Sequence, residues 1–244
     1  MKKLVLVFGI VVWTCCNVKA QESRLDFSVG ADLVSSYVWR GAHQTKAAIQ
    51  PAASLSVGGF SLSAWASTEI VGPQKEVDFT LGYSAGNLSL VITDYWWEGE
   101  RNEHPDRSHG FFRPTKHLWE GSVGYVLPLK SFPLSLSANV MFAGNDDNED
   151  NGEDVRTGDG KNDYSTYIEA SFPFAIKDVS LDASLGATTH KGLYATEASV
   201  INIGLKASKE IKITDSFSLP VFGQIIANPH RHSEDIFFVF GISL

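Results

Sequence analysis

The sequence predicts an all-β protein, a transmembrane antiparallel up-and-down β-barrel of about 12 strands. Three observations carry that expectation: an export signal at the N-terminus, period-two alternation of apolar and polar residues along the chain, and connections that alternate between short turns and long polar loops.

The first segment, "MKKLVLVFGIVVWTCCNVKA", pairs Lys2 and Lys3 with an apolar run over 4–13, and places Val18 and Ala20 where a signal peptidase reads. Residues 1–20 therefore read as a cleaved signal peptide and 21–244 as a single barrel domain. The apolar run is shorter than the roughly 18 residues a spanning helix needs. Cys15 and Cys16, the only two cysteines, both lie in the 1–20 segment. Disulfides, a thiol nucleophile and thiolate metal sites are thereby excluded from the mature chain. Loss of Lys2, Lys3 and Lys19 takes the formal net charge from −8 to −11, which argues against nucleic acid as a partner.

The alternation begins at once. Leu25, Phe27, Val29, Ala31, Leu33, Tyr37 and Trp39 share one parity, with Asp26, Ser28, Gly30, Asp32, Ser36 and Arg40 between them. A first strand is expected to run to Trp39, with Arg40 on its wet face. Eleven further segments follow, near 47–57, 60–70, 77–85, 88–97, 119–127, 134–142, 164–172, 179–187, 201–207, 217–227 and 236–244. Gly58-Gly59 and Gly86-Asn87 supply two-residue hairpin turns, and "PLKSFP" and "PFAIKD" supply others. By contrast, residues 98–116 and 144–163 form long charged connections. Short turns at one end and long loops at the other belong to a membrane barrel rather than a soluble sandwich. Sheet edges left open in hydrocarbon would cost several kcal/mol per unpaired backbone group, so such a sheet closes.

"SSYVWRGAHQT", residues 35–45, resembles the start of the TorF-type porin family, formerly a conserved hypothetical group. The similarity continues through Gln50-Pro51, Gly59-Phe60, Trp65 and Ser67, Glu76 and Asp78, Gly82-Tyr83 and Asp94-Tyr95-Trp96, and returns weakly at "YSTYIEASFP". The resemblance implies one β-barrel in the outer membrane of a Gram-negative bacterium, with passive transport presumed for the family. The C-terminal run, apolar at alternate positions to Leu244, resembles the signal read by the outer-membrane assembly machinery.

The polar parity collects the candidate lumen residues: Arg40, Glu69, Asp78, Glu120, Glu169 and Trp65, among mostly Ser, Thr, Ala and Gly. The functional expectation is a constriction in which Arg40 faces Glu69, Asp78, Glu120 or Glu169 and sorts small hydrophilic solutes by size and charge. The alternative is a plugged barrel serving as surface receptor, adhesin or structural scaffold through its external loops. The acidic stretch "GNDDNEDNGEDVRTGDGKND" places Asp147, Glu149 and Asn151 at the spacing of calcium-loop ligands, but Gly158 stands where the bidentate glutamate belongs. Ca2+ at Asp147, Glu149 and Asn151 is the one cofactor the sequence suggests; otherwise none is expected. A loop solvated among lipopolysaccharide phosphates is the simpler reading. The histidines show no local pattern of an outer-membrane lipase around His109, His117 or His232-Ser233, so no enzyme is expected. Tyr37, Trp39, Trp96, Trp97 and Trp119 are expected outside, as aromatic girdles toward outer-membrane lipid.

Overall fold

A computed structural model describes residues 24–98, 111–112, 117–129, 132–144, 146, 162–233 and 235–244. The expected signal segment and the candidate ligands Asp147, Glu149 and Asn151 lie outside the described residues.

Among the described residues fourteen strands follow one another and there is no helix. They are β1 (Leu25–Val34), β2 (Tyr37–Trp39), β3 (Ala42–Thr45), β4 (Ala48–Val57), β5 (Phe60–Glu69), β6 (Lys75–Ala85) and β7 (Leu88–Glu98), then β8 (Leu118–Val126), β9 (Ser135–Gly144), β10 (Thr166–Ile176), β11 (Val179–Thr188), β12 (Ser199–Lys212), β13 (Ser218–Ala227) and β14 (Ile236–Ser243). Twelve of them close a single antiparallel barrel in the order β1-β14-β13-β12-β11-β10-β9-β8-β7-β6-β5-β4. The remaining pair, β2 and β3, forms a separate two-stranded sheet.

Alternation decides which face is which. On β1, Phe27 and Val29 are each 70% exposed, and on β14 Phe240 is 65% exposed, as are like-parity aliphatics on the other strands. Their neighbours Gln50, Ser67, Asp78, Thr93, Glu120, Asn139 and Asn202 are buried. A protein that is apolar outside and polar within inverts the arrangement of a water-soluble domain.

Closure is made by β1 and β14, where Asp32 lies opposite Ser243, Leu33 opposite Ile242 and Val34 opposite Gly241. Ala31 N donates to Leu244 O at 3.1 Å and Leu244 N returns the bond to Ala31 O at 2.9 Å. By comparison, β1 pairs with β4 over ten residues, from Leu25 opposite Val57 to Val34 opposite Ala48.

The first strand is shorter than its alternation suggested, a correction with a local cause. At Ser35 the backbone leaves the barrel wall: Ser35 N donates to Phe240 O at 2.8 Å while Phe240 N donates to Ser35 Oγ at 2.9 Å, so the serine side chain caps the ladder. Ser36 Oγ then donates to Thr45 O at 3.1 Å and ties off the base of the β2–β3 hairpin. Trp39 lies opposite Ala42, leaving Arg40 and Gly41 as a two-residue turn with φ of 49° and 74°. Positive φ at both central residues is what a hairpin turn matching strand twist requires. For arginine it is an uncommon and strained conformation, of the kind that surrounding contacts must hold in place.

Candidate functional site in the barrel lumen

A barrel of eight strands is just filled by its own side chains, whereas sixteen or more leave an aqueous channel. Twelve strands lined with small residues leave a gap, and the hairpin enters it. Tyr37 packs edge-on against Trp65 of β5, with ring centroids 5.3 Å apart. Trp39 sits 5.5 Å from Tyr95 of β7 and 5.7 Å from Tyr194 of the β11–β12 connection. Gly41 O accepts from Asn228 Nδ2 at 3.0 Å, beside β13. The hairpin leaves the wall between β1 and β4 and reaches β8 and β10, far around the barrel, so it crosses the lumen.

Arg40 is the tip of this crossing. Its Nη1 and Nη2 donate to Glu120 Oε2 and Oε1 at 2.5 and 2.9 Å, a two-pronged pair in which the Glu120 side chain is 2% exposed. Nη1 also donates to Tyr194 Oη. The guanidinium carbon lies 4.4 Å from the centroid of the Tyr167 ring and 4.7 Å from that of Trp39. Paired and stacked guanidinium groups of this kind are held by geometry as well as charge. The Glu120 carboxylate supplies the counter-charge that a buried guanidinium requires.

Each wall residue of this site is itself fixed. Tyr95 Oη and Ser122 Oγ donate to Glu120 Oε1 at 3.0 and 3.3 Å. Tyr167 Oη donates to Glu169 Oε2 at 2.5 Å and accepts from Asn202 Nδ2 at 3.0 Å. Tyr194 is presented by a chain of contacts: Asp146 accepts from Ser165 N and Oγ at 2.7 and 2.6 Å, and Ser165 Oγ accepts from Leu193 N at 2.7 Å. Asp146, the first carboxylate of the acidic stretch, is thus a buried anchor rather than part of a solvated loop.

Of the lumen candidates named from sequence, Arg40 and Glu120 are brought into direct contact. Glu169 acts one residue removed, through Tyr167, and Trp65 packs on the hairpin through Tyr37. Asp78 is buried deeper on β6, with Oδ1 unpartnered. Glu69 sits at the rim, where Oε1 accepts from Lys46 N at 3.2 Å instead of meeting Arg40. Three expected girdle aromatics are corrected: Tyr37 and Trp39 are inside the barrel on the hairpin, and Trp97 shares the lumen parity of Tyr95 and packs against it. Trp96 faces outward but lies beneath Phe111, whereas Trp119 is exposed outside as expected.

Sequence reasoning did not pick out the tyrosines. Tyr95 and Tyr167 stood on the polar parity, where an aromatic is an exception, and "GLY" at 192–194 is an apolar interruption of a polar loop. On the outer face, His117 Nδ1 lies 2.7 Å from Asp94 Oδ1, and Nε2 donates to Phe111 O at 2.6 Å. Both ring nitrogens are engaged in structure.

On the short-turn side of the hairpin the lumen is looser. A cavity of about 250 Å³ is lined there by Ser89, Gly124, Ser135, Ser137, Glu169 and Ser171, among others. The molecule is therefore a closed twelve-stranded barrel with an apolar exterior and a polar lumen stopped on one side by a hairpin. By its sequence the chain belongs to the family described as "Bacterial protein of unknown function (Gcw_chp)", which matches residues 19–218. Among solved structures it is similar to BamA from Haemophilus ducreyi lacking POTRA domains 1–3, at 9% identity and a TM-score of 0.40. The match covers 87% of this chain and 43% of that one, so this chain spans less than half the length of that relative. No curated protein matches the chain.

Proposed function

We propose that this protein is an outer-membrane barrel that passes small hydrophilic solutes, cations in preference, and that the β2–β3 hairpin is its stopper. The observation that carries this reading is a polar interior blocked by a hairpin whose tip is anchored by the buried ion pair of Arg40 with Glu120. A barrel meant only as a post would be filled by wall side chains. Here the wall is mostly small and hydroxylated, and the obstruction is a separable piece of backbone.

The exterior supports a bilayer setting. Exposed Leu, Ile, Val and Phe on nearly every strand would aggregate in water and are at ease in hydrocarbon, and closure pairs the backbone groups that lipid cannot satisfy. The resemblance of residues 35–45 to TorF-type porins points the same way. Outer-membrane lipid and lipopolysaccharide are then the surroundings, and the outer-membrane assembly machinery the route of insertion. Cation preference follows from charge. Among the described wall strands Asp26, Asp32, Glu69, Glu76, Asp78, Glu120, Glu169, Asp182 and Glu210 have lumen parity, against Lys206 and Lys212 with Arg40 on the hairpin, and rings of like charge set selectivity in pores.

One observation favours the closed-scaffold reading: the rings of Trp39, Tyr95, Tyr167 and Tyr194 pack around Arg40 as densely as a small core. Liposome swelling with sugars of graded size separates the two. The expected result is slow entry through the wild type and faster, size-limited entry through Arg40→Gln. If neither protein admits the smallest sugar, the channel reading fails and the scaffold stands.

A further inference from the structure

The hairpin supplies Arg40 and Trp39, but the rest of the cradle belongs to the wall strands and the β11–β12 connection and has hydrogen bonds of its own. Glu120 on β8 is oriented by Tyr95 Oη at 3.0 Å and Ser122 Oγ at 3.3 Å. The Tyr167 ring on β10 is pinned by Glu169 and Asn202. Tyr194 is delivered by the Asp146–Ser165–Leu193 relay. None of these contacts uses the hairpin. If Arg40 were withdrawn, a carboxylate with both oxygens aimed inward would remain beside an aromatic face.

That arrangement matches one chemical group closely. A carboxylate taking two parallel N–H bonds beside a ring stacked at 4.4 Å fits a planar guanidinium, which offers a rigid fork and a flat face. An ammonium is a compact, strongly hydrated point charge that makes neither contact as well. An approach also exists: Glu169, which fixes Tyr167, lines the cavity of about 250 Å³ on the short-turn side, so free volume borders the cradle.

We infer that the Glu120–Tyr167–Tyr194 cradle is a recognition site for guanidinium-bearing solutes, and that Arg40 occupies it as an internal stand-in which such a solute displaces. This deepens the proposed channel function, because it names the class of solute that would unseat the stopper. An internal competitor also lowers a ligand's apparent affinity by the fraction of time the site is free.

The test is a binding titration that needs no pore. Arg40→Ala is purified as a heat-modifiable barrel in detergent and titrated calorimetrically with arginine amide, lysine amide and citrulline amide, the last being the uncharged near-isostere. Arginine amide should bind at least tenfold more tightly than lysine amide, with no saturable signal from citrulline amide, and Arg40→Ala combined with Glu120→Gln should abolish binding. If Arg40→Ala does not fold, Arg40→Gln is titrated by the same criteria. Equal responses to all three amides, no binding of arginine amide, or undiminished binding in the double variant would overturn the inference. In wild-type liposomes arginine amide should raise solute flux severalfold while citrulline amide does not. Absence of wild-type flux under every condition would remove the channel function and leave the calorimetry to judge the site.

Discussion

The two halves of the lumen are built by opposite means. Toward the long loops, Arg40, Trp39, Tyr95, Tyr167 and Tyr194 form a layer in which rings and an ion pair are bonded to one another across the barrel. Toward the short turns the same strands carry Ser89, Gly124, Ser137 and Ser171 around open volume, with hydroxyl pairs such as Ser28–Ser54 at 2.8 Å along the wall. One set of twelve strands thus holds a dense plane and a loose one. The difference locates the closure in a single layer, in which a hairpin outside the barrel wall is latched to side chains that the wall supplies. On the proposed channel function, moving the hairpin would open the lumen without disturbing the backbone ladder of the wall.

The comparison can be broken most forcefully at its ion pair. Glu120→Gln leaves the Arg40 charge buried without its counter-ion, and loss of one partner of a buried pair costs about 3–5 kcal/mol. The hairpin should release this by leaving the lumen. With the mature chain expected to contain no native cysteine, a cysteine introduced at Gln44 should react with a water-soluble maleimide at least tenfold faster in Glu120→Gln than in the wild-type background.

A second break tests inside against outside. Leu81 is 54% exposed on the outer face of β6 and Thr80 is its lumen-facing neighbour. Leu81→Arg should lower the barrel's unfolding free energy in liposomes by roughly 2–4 kcal/mol, the cost of arginine near a bilayer midplane. Thr80→Arg, beside the lumen carboxylates, should lose less than half as much in the same urea titration.

A third sharpens the role of the turn. At Gly41 a Cβ would lie 1.8 Å from Ile201 O, and φ is 74°. Gly41→Ala combines that collision with backbone strain of about 1–3 kcal/mol, and should expose the cysteine at position 44 while leaving Glu120 and the wall intact. The smallest effect belongs to the loose half. Ser171→Val, placed in open volume, should change stability by no more than about 0.5 kcal/mol, yet slow sugar entry through an Arg40→Gln barrel.

The twelve wall strands were legible because alternation is forced by physics: each side chain meets either hydrocarbon or the polar interior, and the chain records that choice residue by residue. Gly58-Gly59 and Gly86-Asn87 marked their turns for a different reason, the positive φ that a tight hairpin requires and that Gly58 (60°) and Gly86 (59°) adopt. The hairpin was hidden because parity survives it. Ser35 and Ser36 add two residues between Val34 and Tyr37, so Tyr37 and Trp39 keep the odd positions of a strand that has already ended. Arg40-Gly41 was the available clue, a two-residue turn that the aromatic flanks disguised. Selecting Glu120 from four acidic candidates required the three-dimensional reach of the hairpin, a distance of 80 positions in sequence. Tyr194, in a loop, had no periodicity to reveal it.

The central claim is that the β2–β3 hairpin, latched by Arg40 to Glu120, is what closes an otherwise passable polar lumen. Single-channel recording of wild type and Arg40→Gln in the same planar bilayer tests it most directly. The account predicts a wild type closed for most of the record and a variant with sustained, cation-selective current. An Arg40→Gln barrel as silent as the wild type, with its hairpin shown by labelling to be displaced, would contradict it.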